Sequence, residues 1–268
     1  MSHQIDLADN NRSDNRFVIL AVGESTTYGL HVGLEQSYPK QLERLLNERF
    51  GDTRFIVKNV GFPSQTSTSI LRNIDSQMLR YKPDLVISLI GANDCNEALN
   101  DLNSRVIFGS TYIPEWIASL RTYKLFSIAK DFILHSPQIK DEGIWLFYDA
   151  TQRNPDSSWV INNFYLRQLY LNYQDIIGKV RNHNARIVIT SYLKTSPAMR
   201  QLLERVARDN NVVYADNCIA VDERREDMFI EDQWHPSVIG HKMMAERLFE
   251  TLLEQNMLPA EQNISSAR

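Results

Sequence analysis

Short apolar runs alternate with amphipathic stretches along most of the chain. Five runs rich in Val, Ile and Leu predict β-strands at 17–22, 55–60, 84–90, 185–190 and 212–214. Apolar residues that recur every three or four positions predict helices at 37–50, 67–80, 161–183, 197–209 and about 237–255. The run at 84–90 is almost continuously apolar, which parallel strands covered on both faces require.

Strands that alternate with helices form parallel sheets with right-handed crossovers. The sequence therefore predicts an α/β fold with a doubly wound parallel sheet of five strands, in a single domain over residues 17–256. Ligands bind beyond the carboxyl ends of the strands in such sheets. The residues that follow the strands are accordingly the candidates for function.

Three segments depart from this alternation. Residues 1–16 are polar and predict a disordered N-terminal lead, and residues 257–268 predict a polar C-terminal tail. The segment at about 95–160 is long for a connection inside a compact domain and is rich in aromatic residues, which predicts a helical insertion. This insertion either packs its aromatic side chains into a core of its own or covers the active site as a lid.

The composition of the chain indicates which kinds of binding partner and cellular location to expect. The 268 residues are 43% hydrophobic and carry a net charge of -4, which gives no electrostatic reason to expect binding to nucleic acid or anionic lipid. The two cysteines, Cys95 and Cys218, are too far apart to indicate a disulfide framework. No secretory signal is evident, and no run approaches the about 18 apolar residues of a membrane span. We therefore expect a cytoplasmic protein without a transmembrane segment.

A serine follows the first predicted strand, and a histidine precedes the last predicted helix. Ser25 comes directly after Gly23 and Glu24. A serine hydroxyl is a weak nucleophile that requires an adjacent base, which His235 can supply. Asp232 lies three residues before this histidine and can fix its tautomer by accepting a hydrogen bond from the other ring nitrogen. This combination favours acyl-transfer chemistry.

Two further residues at predicted strand ends can stabilise an oxyanion. Gly61 ends the second strand, and Asn93 follows the third. A tetrahedral intermediate requires preorganised donors, and the backbone N–H groups of Ser25 and Gly61 and the side-chain amide of Asn93 are three of them. Because Gly61 lacks a Cβ, we expect substrate to approach its backbone closely. Each residue alone is also typical of a cap, a strand end or a turn.

Motifs of other chemistries are missing from the sequence. It contains no Gly-Lys-Ser/Thr of a P-loop and no dinucleotide fingerprint after the first strand. The histidines are scattered without metal-ligand spacing, so a catalytic zinc or other metal is not expected. The G-x-S-x-G elbow of α/β-hydrolases is not matched, because Thr27 stands where the second glycine belongs.

Four blocks, in order, resemble the SGNH (GDSL-type) hydrolases. They are Gly23-Glu24-Ser25-Thr26-Thr27-Tyr28-Gly29, Gly61, Gly91-Ala92-Asn93-Asp94 and Asp232-Gln233-Trp234-His235. The resemblance implies a three-layer α/β/α, flavodoxin-like fold and ester hydrolysis without a cofactor. It implies Ser25 as the nucleophile, His235 as the base and Asp232 as its orienting acid. It also implies an oxyanion hole formed by Ser25, Gly61 and Asn93.

One position departs from the family pattern, and three other residues in or near the blocks have less specific roles. Glu24 stands where the family has aspartate, and the extra methylene bears on the packing of the loop. We expect Asp94 to stabilise its own turn and His241 to be structural or exposed. His31 either faces solvent or contacts the substrate.

Three functions are compatible with these residues. The first is hydrolysis of short- to medium-chain carboxylic esters, including carbohydrate O-acetyl esters, with a small-molecule, glycan or lipid ester as the partner. The second is acyl transfer to another alcohol by the same triad. The third is a binding module without catalysis, which the intact set of site residues argues against.

Overall fold

The computed structural model describes residues 16–51, 54–94, 107–108, 111–112, 164–219 and 226–259. The strands in these residues are β1 Phe17–Gly23, β2 Phe55–Asn59, β3 Leu85–Leu89, β4 Ile107–Phe108, β5 Thr111–Tyr112, β6 Arg186–Thr190 and β7 Val213–Ala215. Five of them form one sheet in the order β2-β1-β3-β6-β7, with every neighbouring pair parallel. This is the flavodoxin-like strand order. The five predicted strands are confirmed, each within one residue at either end.

The helices in the described residues are α1 Ser25–Tyr28, α2 Tyr38–Phe50, α3 Ser67–Tyr81, α4 Phe164–Asn182, α5 Pro197–Asn210 and α6 Val238–Glu254. The five long helices agree with the prediction within one residue, except that the first three positions predicted for α4 lie outside the described residues. Short 3-10 turns at Leu34–Gln36 and Glu226–Met228 were not predicted. Within the same part of the chain, no helix has both the length and the hydropathy needed to cross a membrane.

Alternate residues of the strands face two different helical layers. On β1, Ile19 and Ala21 pack with α2 and α6, whereas Leu20 and Val22 pack with α3, α4 and α5. Successive side chains of a strand point to opposite faces, so a strand covered on both sides is apolar at every position. The three-layer α/β/α fold is therefore confirmed.

The predicted boundaries of the domain are only partly covered by the described residues. Met257 is 8% exposed and packs with Leu258 against the core, and its carbonyl accepts a hydrogen bond from Arg186 at 2.7 Å. The core thus extends two residues into the segment predicted as a polar tail. Of the predicted insertion only the antiparallel pair β4–β5 is described, so the insertion and the disordered lead stay predictions.

His241 lies at the contact between α6 and α2, where its side chain is fully buried. Its Nδ1 accepts a hydrogen bond from the backbone N–H of Tyr38 at 3.2 Å, and its ring stacks on the Tyr38 ring with 6.3 Å between centroids. Burial, reinforced by nearby His235, lowers the pKa of His241 to about 4. The histidine is structural and enters the core in its neutral form.

We predict that this histidine makes the protein less stable in mild acid. Because the folded-state pKa is depressed, the unfolded chain binds the proton more readily, and the free energy of unfolding falls as the pH falls from about 6.5 to about 4. The difference between these two values corresponds to about 3 kcal/mol. Urea unfolding at a series of pH values measures it.

His241→Asn is the matched variant, because its side-chain oxygen can still accept from Tyr38 but does not titrate. The slope of stability against pH should be shallower in this variant by most of that amount. His183→Gln, at a half-buried histidine paired with Asp75, is the control. Equal slopes in the wild type and in His241→Asn would contradict the assignment.

Candidate active site

The turn after β1 places Ser25 at the carboxyl end of a central strand. Ser25 is the first residue of α1 and follows the strand after one intervening residue. The short helix ends at Gly29, whose φ of 83° lies in the left-handed region and whose N–H donates to the Ser25 and Thr26 carbonyls. In the sheet, β1 lies between β2 and β3, so the turns that follow β2 and β3 flank the turn that carries Ser25.

A closed loop between the last 3-10 turn and α6 carries His235. The Ser237 N–H donates to the Met228 carbonyl at 2.9 Å, and the Ile230 N–H donates to the His235 carbonyl at 3.0 Å. These two bonds pair the arms of the loop across its base. Lys194 adds a hydrogen bond from its ammonium group to a carbonyl at the tip of the loop. The loop therefore presents the histidine in a fixed orientation.

Ser25, His235 and Asp232 form a continuous chain of hydrogen bonds. The distance from His235 Nε2 to Ser25 Oγ is 2.9 Å, and that from His235 Nδ1 to Asp232 Oδ2 is 2.5 Å. The other oxygen, Asp232 Oδ1, accepts from the backbone N–H groups of Trp234 and His235 at 2.8 and 2.9 Å. The backbone of the loop thus holds the Asp232 carboxylate in place beside the His235 ring. The structure brings the three predicted residues together.

The Asp232 carboxyl group keeps its charge in this setting. Partial burial acts to raise its pKa, but the hydrogen bonds from the His235 ring and from two backbone N–H groups outweigh burial and lower it. The side chains of Asp232 and His235 are 38% and 24% exposed. An ionised carboxylate favours the His235 tautomer with its proton on Nδ1, which leaves Nε2 free to accept the Ser25 proton.

Asn93, the predicted side-chain donor of the oxyanion hole, lies in the turn after β3. Its Nδ2 donates to the carbonyl of Gln65 at 3.0 Å. An amide nitrogen carries two hydrogens, so this bond orients the group and leaves the second hydrogen available to a ligand.

Gly61, the second predicted donor, has a different environment from the one expected. Its N–H donates to Asn59 Oδ1 at 3.0 Å, and a backbone nitrogen has only this one hydrogen. A Cβ on Gly61 would lie 2.6 Å from the nitrogen of Tyr28 and 2.7 Å from the Cβ of Thr27. The glycine is thus required by its contact with α1, rather than only by the approach of substrate. Asn59 was not among the predicted site residues, although asparagine is a typical residue of such a turn.

Glu24 connects the turn after β1 to the turn after β3. It is 1% exposed, and its Oε1 and Oε2 accept from the N–H groups of Gly91 and Asn93 at 2.7 and 3.1 Å. Burial, and then the nearby charge of Asp94, raise the pKa of Glu24 well above its usual range. The longer acid therefore spans the gap and binds the backbone of the residue that carries the candidate oxyanion donor.

Asp94 extends this network to the helical layer. Its carboxylate accepts from the backbone N–H of Ser67 at 3.1 Å and from the Ser67 hydroxyl, at the start of α3. Asn172 on α4 donates to the same hydroxyl at 2.6 Å. Asp94 was expected to stabilise its own turn. The bonds with Ser67 also connect that turn to the N-terminus of α3.

His31 lies next to the histidine of the triad. The centroids of the His31 and His235 rings are 5.7 Å apart, and the His31 side chain is exposed. Candidate metal-ligand atoms of His31, Asp232 and His235 lie within 4.8 Å of one another. Both ring nitrogens of His235 are already hydrogen-bonded, so coordination through either nitrogen would break one of these two bonds.

Known proteins share this fold. No curated protein sequence matches the chain. A crystal structure of TesA superposes with a TM-score of 0.56 at 16% identity and covers 88% of this chain and 97% of its own. The psychrotrophic esterase EstA from Pseudoalteromonas sp. gives 0.55 at 14%, covering 91% and 100%. The Clostridium thermocellum family 3 carbohydrate esterase gives 0.54 at 17%, covering 90% and 96%. At identities of 14–17%, these comparisons show that the fold is shared.

The family is assigned by sequence. The model of the GDSL-like lipase/acylhydrolase family matches residues 21–243 of the 268. The match includes all five candidate site positions, from Ser25 to His235. The chain therefore belongs to the GDSL-like lipase/acylhydrolase family and is an ester hydrolase.

Proposed function

We propose that the protein is a serine esterase that forms its acyl-enzyme on Ser25, with His235 as the base and Asp232 as the residue that orients it. The observation that carries the proposal is the hydrogen-bond chain from Ser25 Oγ through the imidazole to Asp232, with distances of 2.9 and 2.5 Å. Nucleophile and base lie within the about 2.6–3.2 Å that proton transfer between them requires.

Acylation begins when Ser25 Oγ attacks the carbonyl carbon of the ester while its proton moves to His235 Nε2. The imidazolium that forms is stabilised by the Asp232 carboxylate. Collapse of the tetrahedral intermediate breaks the bond to the alcohol, which leaves with the proton from Nε2. Water then attacks the acyl-enzyme while it gives a proton to the same nitrogen. Collapse of the second intermediate breaks the bond to Ser25 Oγ, which takes the proton back from Nε2 as the acid leaves.

The oxyanion of both intermediates is bound by the Ser25 N–H, the Asn93 amide and the Gly61 N–H. These donors are unequal. Asn93 offers its second hydrogen without losing its bond to Gln65, whereas Gly61 must exchange Asn59 Oδ1 for the oxyanion. Because that exchange replaces one hydrogen bond by another, Gly61 contributes less net stabilisation than Asn93.

The substrate class that we propose is a short- to medium-chain ester, which includes O-acetylated carbohydrates. Two structural neighbours are a family 3 carbohydrate esterase and an acetyl xylan esterase, which supports this range. Transfer to another alcohol by the same triad is the alternative. The partial exposure of Asp232 and His235 favours hydrolysis, since water reaches the base directly.

We predict that turnover of p-nitrophenyl acetate depends on all members of the triad. Ser25→Ala should lower kcat by a factor of about 10⁴ or more, because no nucleophile remains. Asp232→Asn should lower it by about 10³–10⁴, because the tautomer of His235 changes. Ser64→Ala, at an exposed serine, is the control. A series of acyl chain lengths defines the preferred substrate, and the absence of turnover at every length would contradict the proposal.

Product analysis separates hydrolysis from transfer. With glycerol added as an acceptor, we expect mass spectrometry to detect mainly the free acid, because water reaches the exposed dyad. A predominance of acylglycerol at low acceptor concentration would assign the protein as an acyltransferase instead.

We predict that Glu24 is a positioning residue for the oxyanion hole. Glu24→Gln keeps the size of the side chain, but its NH₂ group cannot accept from the N–H of Gly91 or Asn93, which leaves one of them unpaired. We expect a loss of about 1–3 kcal/mol in the free energy of unfolding. We also expect kcat to fall about tenfold with KM nearly unchanged, because Asn93 acts on the transition state.

Two further variants test this role. Glu24→Asp keeps both acceptor oxygens and should recover part of kcat, although its reach is shorter. Glu48→Gln, at an exposed position of α2, should change neither quantity. A purely structural role predicts that kcat per folded molecule stays constant in Glu24→Gln, and that result would overturn the assignment.

A further inference from the structure

His31 lies in a closed turn directly after the short helix that begins with the nucleophile. The Leu30 N–H donates to the Ser25 carbonyl at 3.0 Å, and the Gly33 N–H donates to the Gly29 carbonyl at 3.0 Å. The φ of His31 is 68°, in the left-handed region, where histidine is enriched over most other non-glycine residues. The two hydrogen bonds therefore hold the backbone of His31 close to Ser25.

The side chain of His31 lies against the ring of His235. The two ring planes are inclined by 69° at a centroid distance of 5.7 Å. The His31 side chain is exposed, and within the described part of the chain it makes no hydrogen bond or ion pair. A neutral imidazole is the commonest metal ligand among protein side chains. His31 therefore has a nitrogen lone pair to offer beside the triad.

Asp232 completes a group of three metal-ligating side chains. One ligand atom each of His31, Asp232 and His235 lies within 4.8 Å of the other two. A tetrahedral zinc ion with bonds of about 2.0–2.1 Å separates its ligand atoms by about 3.4 Å, so each pair has to approach by about 1.4 Å at most. The exposed His31 side chain can rotate to make much of this approach. Two imidazoles and a carboxylate favour Zn²⁺, with water as the fourth ligand, over Mg²⁺ or Ca²⁺.

We propose that His31, Asp232 and His235 form an inhibitory site for Zn²⁺, through which the metal regulates the esterase reversibly. The inference rests on the proposed function, in which both ring nitrogens of His235 have a task. Coordination through Nε2 occupies the lone pair that accepts the Ser25 proton. Coordination through Nδ1 breaks the bond to Asp232 and leaves the ring proton on Nε2, which then cannot act as a base. Zinc therefore stops acylation in either geometry.

Turnover of p-nitrophenyl acetate in the presence of Zn²⁺ tests the inhibition, with His31→Asn as the variant. Asparagine also adopts the left-handed conformation but removes the imidazole. We expect Zn²⁺ to inhibit the wild type, EDTA to restore its rate, and Mg²⁺, which takes oxygen ligands, to have no effect. The IC50 for Zn²⁺ should be at least about tenfold higher in His31→Asn, since loss of even an outer partner of a metal site costs about 10–100-fold in affinity. Each variant is compared with its own rate without metal.

Isothermal titration calorimetry in the Ser25→Ala background measures zinc binding without turnover. This variant keeps all three ligands, and we expect it to bind one Zn²⁺ per molecule at this site. Adding His31→Asn should weaken that binding at least about tenfold. His183→Asn, at a half-buried histidine paired with Asp75, is the matched control. It should change neither the affinity in this background nor the IC50 of the active enzyme.

The outcomes separate the metal site from the proposed function. An equal IC50 in the wild type and in His31→Asn overturns the site, because zinc then acts elsewhere on the protein. Zinc binding that depends on His31 but leaves turnover unchanged overturns the inhibitory role. If no ester is turned over, the proposed function fails and calorimetry decides on the site. Weaker binding in His31→Asn then supports the site, and equal binding overturns it.

Discussion

A buried carboxylate joins the two turns on which the site depends. Glu24 leaves the end of β1 and accepts hydrogen bonds from the backbone after β3, at Gly91 and Asn93. A buried carboxylate is expensive unless it is hydrogen-bonded, and buried backbone N–H groups also require partners. The Glu24 carboxylate therefore requires these N–H donors, and the N–H groups require the carboxylate. The hydrogen bonds between them fix the turn that carries Asn93 next to the turn that carries Ser25.

The parallel register of the sheet makes that contact possible. Gly23 of β1 pairs with Leu89 of β3, so both strands end at the same height and their turns meet. His235 arrives from the opposite end of the sequence on a loop that is closed by its own hydrogen bonds, and Asp232 belongs to the same loop. Asp232 and His235 are three residues apart, so their hydrogen bond forms within one loop. The hydrogen bond between His235 and Ser25 joins distant segments and forms only when the loop packs against the turn after β1.

Internal hydrogen bonds occupy part of the candidate oxyanion hole. Gly61 donates to Asn59 and Asn93 donates to Gln65; the first acceptor is the last residue of β2, and the second lies in the segment between β2 and α3. Gly61 and Gln65 also line a cavity in the described part of the chain.

The sequence by itself determined the five strands of the sheet, the five long helices, the class of fold and the five candidate site residues. The spacing of apolar residues indicates which positions of a helix or strand are buried. Ser25, Asn93 and His235 belong to short motifs of neighbouring residues, which can be recognised without knowing the fold. The tertiary structure alone decided which groups these residues meet. Asp94 accepts hydrogen bonds from Ser67, Gly61 contacts α1, and Glu24 accepts from the backbone after β3. These contacts depend on strand pairing and helix packing between distant segments, which no local pattern encodes.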